Sequence, residues 1–318
     1  MEMTIHWSNR DTDVDEFRIY RSDSKIDPID PPTPIATVTG DTFSYVDQDV
    51  TLGGLYHYVV TAVKGGHEAQ SMSRALAAIP HTGPGPQELI YGDYEFGIFG
   101  RMPSWQLFTR DQFFAQFDTL PKYATKFRDS DEWVKYMWRG RVCFMPFKGN
   151  FLYNVAWQYL YEAGLVYGVD GPGPQSLLSA VNQRVVVTRD QYTFRVRTPQ
   201  AMLLDQDVYQ ENHPSSRLFE WGFAIAPWMS GHLNTYWSRY HNDKENYGML
   251  LGNETSRWVP WSSSSSTGER TIAADLVMGN QAFLTGYGRN SDGNAVLRES
   301  YNRYVSYYGW RPVLELEY

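Results

Sequence analysis

Cysteine is almost absent from this chain of 318 residues. Cys143 is the only one, which excludes an intrachain disulfide framework and leaves the thiol to be read as a small buried hydrophobe. No apolar run approaches the length of a membrane span, so membrane insertion is not expected. The opening Met1-Glu2-Met3-Thr4-Ile5-His6 lacks the basic and apolar regions of a signal peptide, and the expectation is synthesis in a cytoplasm without export. A basic excess is missing too. The formal net charge is -8, which argues against nucleic acid as a partner, since phosphate contacts need clustered Lys and Arg. His213, His232 and His241 have no His-x-x-x-His spacing or carboxylate partner at ligand spacing, so no metal is expected. The serine run Ser262 to Ser266 lacks the Gly-x-Ser-x-Gly elbow of a hydrolase nucleophile. Asp11, Asp13, Asp15 and Glu16 imitate the start of a calcium loop, but Glu16 stands where that loop needs glycine, and the segment reads as a solvated turn. No carboxylate pair is singled out among the 36 acids. No catalytic residue and no cofactor are expected.

The chain is otherwise of ordinary globular composition, with 42% hydrophobic and 20% charged residues, and its length suggests two domains. Residues 1–80 carry 12 acidic and 6 basic side chains and a single tryptophan, Trp7, of the 11 in the chain. The remainder is nearly balanced in charge and holds the other tryptophans. The two regimes meet at His81-Thr82-Gly83-Pro84-Gly85-Pro86, where a Gly/Pro alternation continues neither helix nor strand. The expected division is therefore 1–80, a linker at 81–88, and 89–318, with two halves that fold separately.

The first part reads as an antiparallel β-sandwich. Short alternating segments at Thr4 to Trp7, Phe17 to Arg21, Ile35 to Val38 and Phe43 to Asp47 precede a long strand, Tyr56 to Val63. On that strand Tyr56, Tyr58, Val60 and Ala62 share one face, which is expected to be the core. Trp7, Tyr20-Arg21, Ala36-Thr37-Val38-Thr39-Gly40, Tyr45-Val46-Asp47 and Gly53 to Val60 resemble, in order, the landmark residues of fibronectin type III domains. The resemblance implies that Tyr56 is the corner tyrosine, its hydroxyl bonded to nearby backbone. It also implies that strand A is missing, because almost nothing precedes the strand at Thr4. The exposed edge then invites a strand from elsewhere.

The second part reads as α+β. Helices are expected from Arg110 to Phe117, from Ser130 or Asp131 through Trp133, Val134, Tyr136 and Met137, and from Asn154 to Gly164. Strands are expected at Val142 to Phe147, Arg184 to Val187 and Tyr192 to Arg197, the last two forming a hairpin about Thr188 to Gln191. From Gly248 onward the chain is rich in Gly, Ser, Asn, Tyr and Trp, which suggests long ordered loops. It closes on Tyr307-Tyr308-Gly309-Trp310-Arg311-Pro312-Val313-Leu314-Glu315-Leu316, a sharp corner feeding a short strand. This ending, Glu132-Trp133-Val134-Lys135-Tyr136 with Val142 to Phe147, Asn154-Val155-Ala156-Trp157 with Ala163 to Gly168, Tyr192 to Arg197, and Phe219-Glu220-Trp221 together resemble a family of virion structural and tail-fibre proteins of bacteriophages. The Gly-Trp-Arg corner also resembles that of the C-type-lectin-like fold, an analogy of fold alone.

The aromatic excess divides into two groups. Trp133, Trp157 and Trp310 sit in patterned elements and are assigned to the core, as are about two thirds of the large aromatics. Trp258, Trp261, Arg270, Tyr301, Tyr304 and Tyr307 lie among Ser, Asn and Gly, the composition of adaptable binding loops, and form the candidate ligand-binding set. They are expected to meet at one end of the second domain, above a buried Trp310 and a hydrogen-bonded Arg311. A glycan, a cell-surface protein and a neighbouring virion subunit remain alternatives as the ligand. The resemblance implies a non-enzymatic virion component: tail, baseplate, collar fibre or head decoration. It would be made in the host cytoplasm, would attach to other virion subunits and to the host surface, and would be homo-oligomeric in the particle, a trimer for a fibre. The alternative from another class is an accessory or catalytic carbohydrate-active protein with a fibronectin-type spacer.

Overall fold

Short runs rich in β-branched and aromatic residues over Glu16–Ser22 and Leu55–Lys64 make two strands, and they pair antiparallel, Ile19 opposite Val60. The computed structural model describes residues 1–8, 13–27, 29–126, 130–147, 150–174, 180–200, 220, 270–277, 281–286, 295–300, 302 and 308–318. The first strands are β1 (Met3–His6), β2 (Glu16–Ser22), β3 (Ala36–Thr39), β4 (Ser44–Asp47), β5 (Leu55–Lys64), β6 (His67–Gln70) and β7 (Arg74–Ala77). Among the described residues β1 pairs only with β4, while β3, β2, β5 and β6 form a second sheet in that order, with β7 also on β5. Ile5, Ile19 and Tyr58 are buried between them, with Tyr56 and Val60 packed alongside. Of the expected core face of β5, Tyr56, Tyr58 and Val60 pack in this cluster, Tyr58 buried and the other two partly so, while Ala62 is not part of it. The opposite face is also covered: His57, Val59, Thr61 and Val63 are buried, Val59 against Tyr20 and Ile26.

The Tyr56 hydroxyl accepts a hydrogen bond of 2.9 Å from the Thr51 N–H, which ties the corner before β5. Gly54 makes room for that ring, since a Cβ there would lie 2.7 Å from the Tyr56 Cε2. Asp47 is buried and accepts from Arg21 at 2.8 Å and from the Tyr58 hydroxyl at 2.7 Å. Asp15 and Asp13, from the imitated calcium loop, are engaged by the end of β5 and the turn after it. Asp15 accepts from the Gly65 N–H at 2.8 Å, and Asp13 pairs with Lys64.

The chain continues through β8 (Tyr91–Gly92), β9 (Phe96–Pro103), helix α1 (Arg110–Phe114), β10 (Thr125–Lys126), β11 (Glu132–Trp138), β12 (Arg141–Pro146), β13 (Leu152–Tyr153), helix α2 (Trp157–Glu162), β14 (Val185–Arg189) and β15 (Tyr192–Arg197). Then come β16 (Arg270–Val277), β17 (Gln281–Gly286), β18 (Ala295–Ser300), β19 (Tyr308–Trp310) and β20 (Val313–Leu316). A seven-stranded sheet runs β14-β15-β20-β12-β11-β9-β8, and a six-stranded sheet runs β10-β13-β19-β16-β17-β18. The protein is mostly β-sheet with few helices.

Several expectations change here. The segment 130–137 is a central strand, β11, not a helix. Trp133, Val134, Tyr136 and Met137 are all fully buried, and a run buried on both faces forms a central strand as readily as a core helix. Ser130 caps no helix; its hydroxyl donates to the Glu132 carbonyl at 2.6 Å. The following helix starts at Trp157 with Ala156 as N-cap, because Asn154 adopts a left-handed backbone, φ 54°, and ends β13. Arg270–Val277, Gln281–Gly286 and Ala295–Ser300 are strands within the region expected to be long loops. The α1 helix carries a capping box between Thr109 and Gln112, and the hairpin β14–β15 turns at Asp190 and Gln191 as expected.

One face of the seven-stranded sheet supplies Trp133, Met137, Val142, Phe144, Phe194 and Leu314 to a single large core, which also takes residues from α1, α2, β13 and β19. Trp310 lies in that core, fully buried, and its Nε1–H donates to Thr198 Oγ1 at 3.1 Å. Arg311 donates to the Phe147 carbonyl at 3.5 Å. The first sandwich reaches the same core through Ala77, with Leu55 and Ile79 packed alongside, and Tyr94 N–H donates to the Ala75 carbonyl at 3.2 Å. Trp310→Ala should lower stability by about 3–5 kcal/mol through the cavity it leaves, read as a shift in the denaturant midpoint at constant slope. Tyr56→Phe should cost about 1 kcal/mol, one hydrogen bond.

Candidate functional site

Strand periodicity gathers a polar cluster on the other face of the seven-stranded sheet. Tyr136 lies opposite Cys143, Cys143 opposite Glu315, and Glu315 opposite Arg195. Arg197, two residues along, shares that face. All of Tyr136, Cys143 and Arg197 are buried, and Glu220 closes over them with no exposed surface.

Arg197 and Glu220 form a two-pronged pair, Nη1 to Oε2 at 2.6 Å and Nη2 to Oε1 at 2.7 Å. Glu220 Oε1 also accepts from the Tyr136 hydroxyl at 2.8 Å, and Oε2 from the Gln200 N–H at 2.8 Å. The Glu220 N–H returns a bond to the Gln200 carbonyl at 3.0 Å, while the Trp138 Nε1–H donates to Gln200 Oε1 at 3.0 Å. The rest of the guanidinium is used as well: Nε on Glu315 at 3.1 Å and Nη2 on Cys143 Sγ at 3.4 Å. Burial alone would lower the Arg197 guanidinium, but Glu220, Cys143 and Glu315 turn the net shift well above its ordinary value. Burial pushes the Cys143 thiol well up. Burial, with Glu220 beside it, does the same to the Tyr136 phenol.

These facts define what the cluster can do. A carboxylate with four donors on its two oxygens has no free lone pair in good geometry for a proton in transit. A thiol held protonated in a sealed interior is a poor nucleophile. The arrangement is a clamp that fixes one glutamate against the sheet. A buried pair of this kind is costly to break from one side, because the survivor is left as an uncompensated charge.

Sequence reasoning missed this cluster. Its signals were Phe219-Glu220-Trp221, an acid between two aromatics, and the alternation of Arg195 and Arg197 with apolar residues in the strand Tyr192–Arg197. Of the candidate binding residues, Trp258, Trp261, Tyr301, Tyr304 and Tyr307 lie outside the described residues. Arg270 begins β16, whose first residues run parallel to β19, Arg270 opposite Tyr308. His213, His232, His241 and Ser262 to Ser266 also lie outside the described residues. Trp133, Trp157 and Trp310 are core residues, as expected. No protein-family model, curated protein or solved structure matches the chain.

Glu220→Ala should destabilise the protein by about 3–5 kcal/mol, the typical cost of orphaning a buried charge. The double change Arg197→Met with Glu220→Leu should cost far less than Glu220→Ala alone, as measured by equilibrium denaturation. A double change that loses as much as Glu220→Ala and Arg197→Met added together would mean that the pair is not coupled.

Proposed function

We propose that this chain is a non-enzymatic structural component of a bacteriophage particle, a tail, baseplate, collar or head-decoration protein that attaches to a neighbouring subunit and contacts the host surface. The first 80 residues are read as a fibronectin type III module, and the remainder as the virion domain. Support for the module comes from the partition of strands, β1 with β4 against β3, β2, β5 and β7, together with the Tyr56 corner bond to Thr51.

The observation that carries the attachment reading is the outer edge of β1. Trp7 N–H donates to the Phe43 carbonyl at 3.2 Å, and the antiparallel register continues through Ile5 opposite Tyr45. Antiparallel pairing alternates, so Met3, Ile5 and Trp7 turn their backbone groups to β4 while Thr4 and His6 turn theirs outward. Both residues are exposed, and β1 has no second partner strand among the described residues. An extended segment from another virion subunit can add there, main chain to main chain. The saturated Arg197–Glu220 cluster supports a structural role over a catalytic one.

Thr4→Pro and His6→Pro remove one outward N–H each without touching the ladder to β4, a substitution that edge strands accommodate. Each variant should keep the thermal midpoint within a few degrees and fail to enter particles in a complementation assay, scored by mass spectrometry of purified virions. Absence of the wild-type chain from purified particles would overturn the reading. Trp258→Ala with Tyr304→Ala should reduce adsorption to host cells and leave incorporation intact, placing the host-contact surface in the second part.

A further inference from the structure

Lys135 is the one residue of the apolar strand β11 whose chemistry conflicts with its position. Its side chain faces the large core between Trp133 and Met137 and has no exposed surface. The amine sits 4.7 Å from the ring centre of Phe99 and 5.9 Å from that of Phe144. No carboxylate pairs with it among the described residues. Its partners are three oxygens of the Gly/Pro segment: the Thr82 hydroxyl at 2.9 Å, the Pro86 carbonyl at 2.5 Å and the Gly83 carbonyl at 3.5 Å. That segment is wound into a ring around the amine. The Thr82 hydroxyl donates to Gln87 Oε1 at 2.7 Å, and Gln87 Nε2 donates back to Gly83 and Gly85 carbonyls at 3.0 and 2.6 Å. Glycine is required for the winding, because Gly83 and Gly85 take φ of 75° and 81° and a Cβ at Gly85 would lie 2.7 Å from Met102 Sδ. The stretch expected to be a linker is thus a belt packed on the sheet.

We propose that Lys135 is a proton-operated clasp on the 82–87 belt: the belt stays seated while the amine is neutral, and proton uptake favours lifting the belt so that the charge regains water. The physical basis is the cost of taking an ammonium out of water with no carboxylate beside it, a cost that the neutral oxygens and the two ring faces offset only in part. Burial lowers the amine from its ordinary 10.5 to about 7, so the seated and lifted states differ in proton affinity across the neutral range. The sign follows from linkage. Between these two values the lifted state binds more protons, so opening grows as pH falls and levels off below the seated value. The other titratable groups near the belt are His81, which packs on Tyr192 and Tyr318, and the exposed Glu88. On the neighbouring strands Arg101 is turned to Glu132, and Arg195 to Glu317. The inference is independent of the virion assignment.

Hydrogen exchange of the full chain, read by mass spectrometry on a peptide spanning 80–90 and divided by the intrinsic exchange rate at each pH, measures the opening equilibrium directly. From pH 9 to pH 6 the protection of these amides should fall by a factor on the order of tens. Lys135→Met should abolish that dependence, and His81→Asn should retain it. Protection that is independent of pH in the wild type, or an unchanged dependence in Lys135→Met, would overturn the proposal. Should Lys135→Met fail to fold, NMR titration of the Lys135 side chain in the wild-type protein decides the matter: a midpoint near neutrality upholds the clasp, and one near the ordinary lysine value excludes it.

Discussion

The position of β20 governs the second part of the molecule. Val313–Leu316 lies in the middle of the seven-stranded sheet, hydrogen-bonded to β12 on one side and β15 on the other. Without it, two hairpins, β11–β12 and β14–β15, have no common ladder. Its two faces are used differently. Leu314 and Leu316 complete the large core, while Glu315 joins Arg197 on the opposite face, across 118 residues of sequence. Closing such a loop precedes the gain from its contacts, which places this sheet among slow-forming topologies.

Two buried basic side chains lie on opposite faces of that sheet and are handled in opposite ways. Arg197 is given a carboxylate in a two-pronged geometry and keeps its charge. Lys135 is given only neutral oxygens. A guanidinium is weakly hydrated and cannot be discharged, so it needs an anion to be tolerated inside. An amine can lose its proton and so can be buried without one. The two faces of the sheet therefore hold a fixed charge and a conditional one.

The two parts are joined closely at several points. The first sandwich places Ala77 in the large core and bonds Ala75 to Tyr94, and Gly140 approaches Leu55 so closely that a Cβ there would lie 3.1 Å from the leucine Cβ. The belt at 82–87 adds a polar fastening on top of these apolar contacts.

Much of the strand content was legible from alternation. Glu16–Ser22, Leu55–Lys64, Arg141–Pro146 and Tyr192–Arg197 were all anticipated within a residue or two, as was the Asp190 turn; the α1 helix starts at Arg110 as expected but ends at Phe114, three residues before the expected Phe117, and the Tyr56 corner followed from the family resemblance. Alternation is visible only when one face differs from the other. In Trp133 to Trp138 both faces are buried, the pattern vanishes, and a strand reads as a helix. The sequence by itself determined the antiparallel hairpins, the burial of Trp133, Trp157 and Trp310, and the inertness of Cys143, because each follows from local pattern or side-chain chemistry. Only the tertiary structure decided that Glu220 meets Arg197, that β20 is central, and that the Gly/Pro segment closes around Lys135. Those contacts join residues far apart in the chain, and no local propensity records which distant oxygen a buried cation will find.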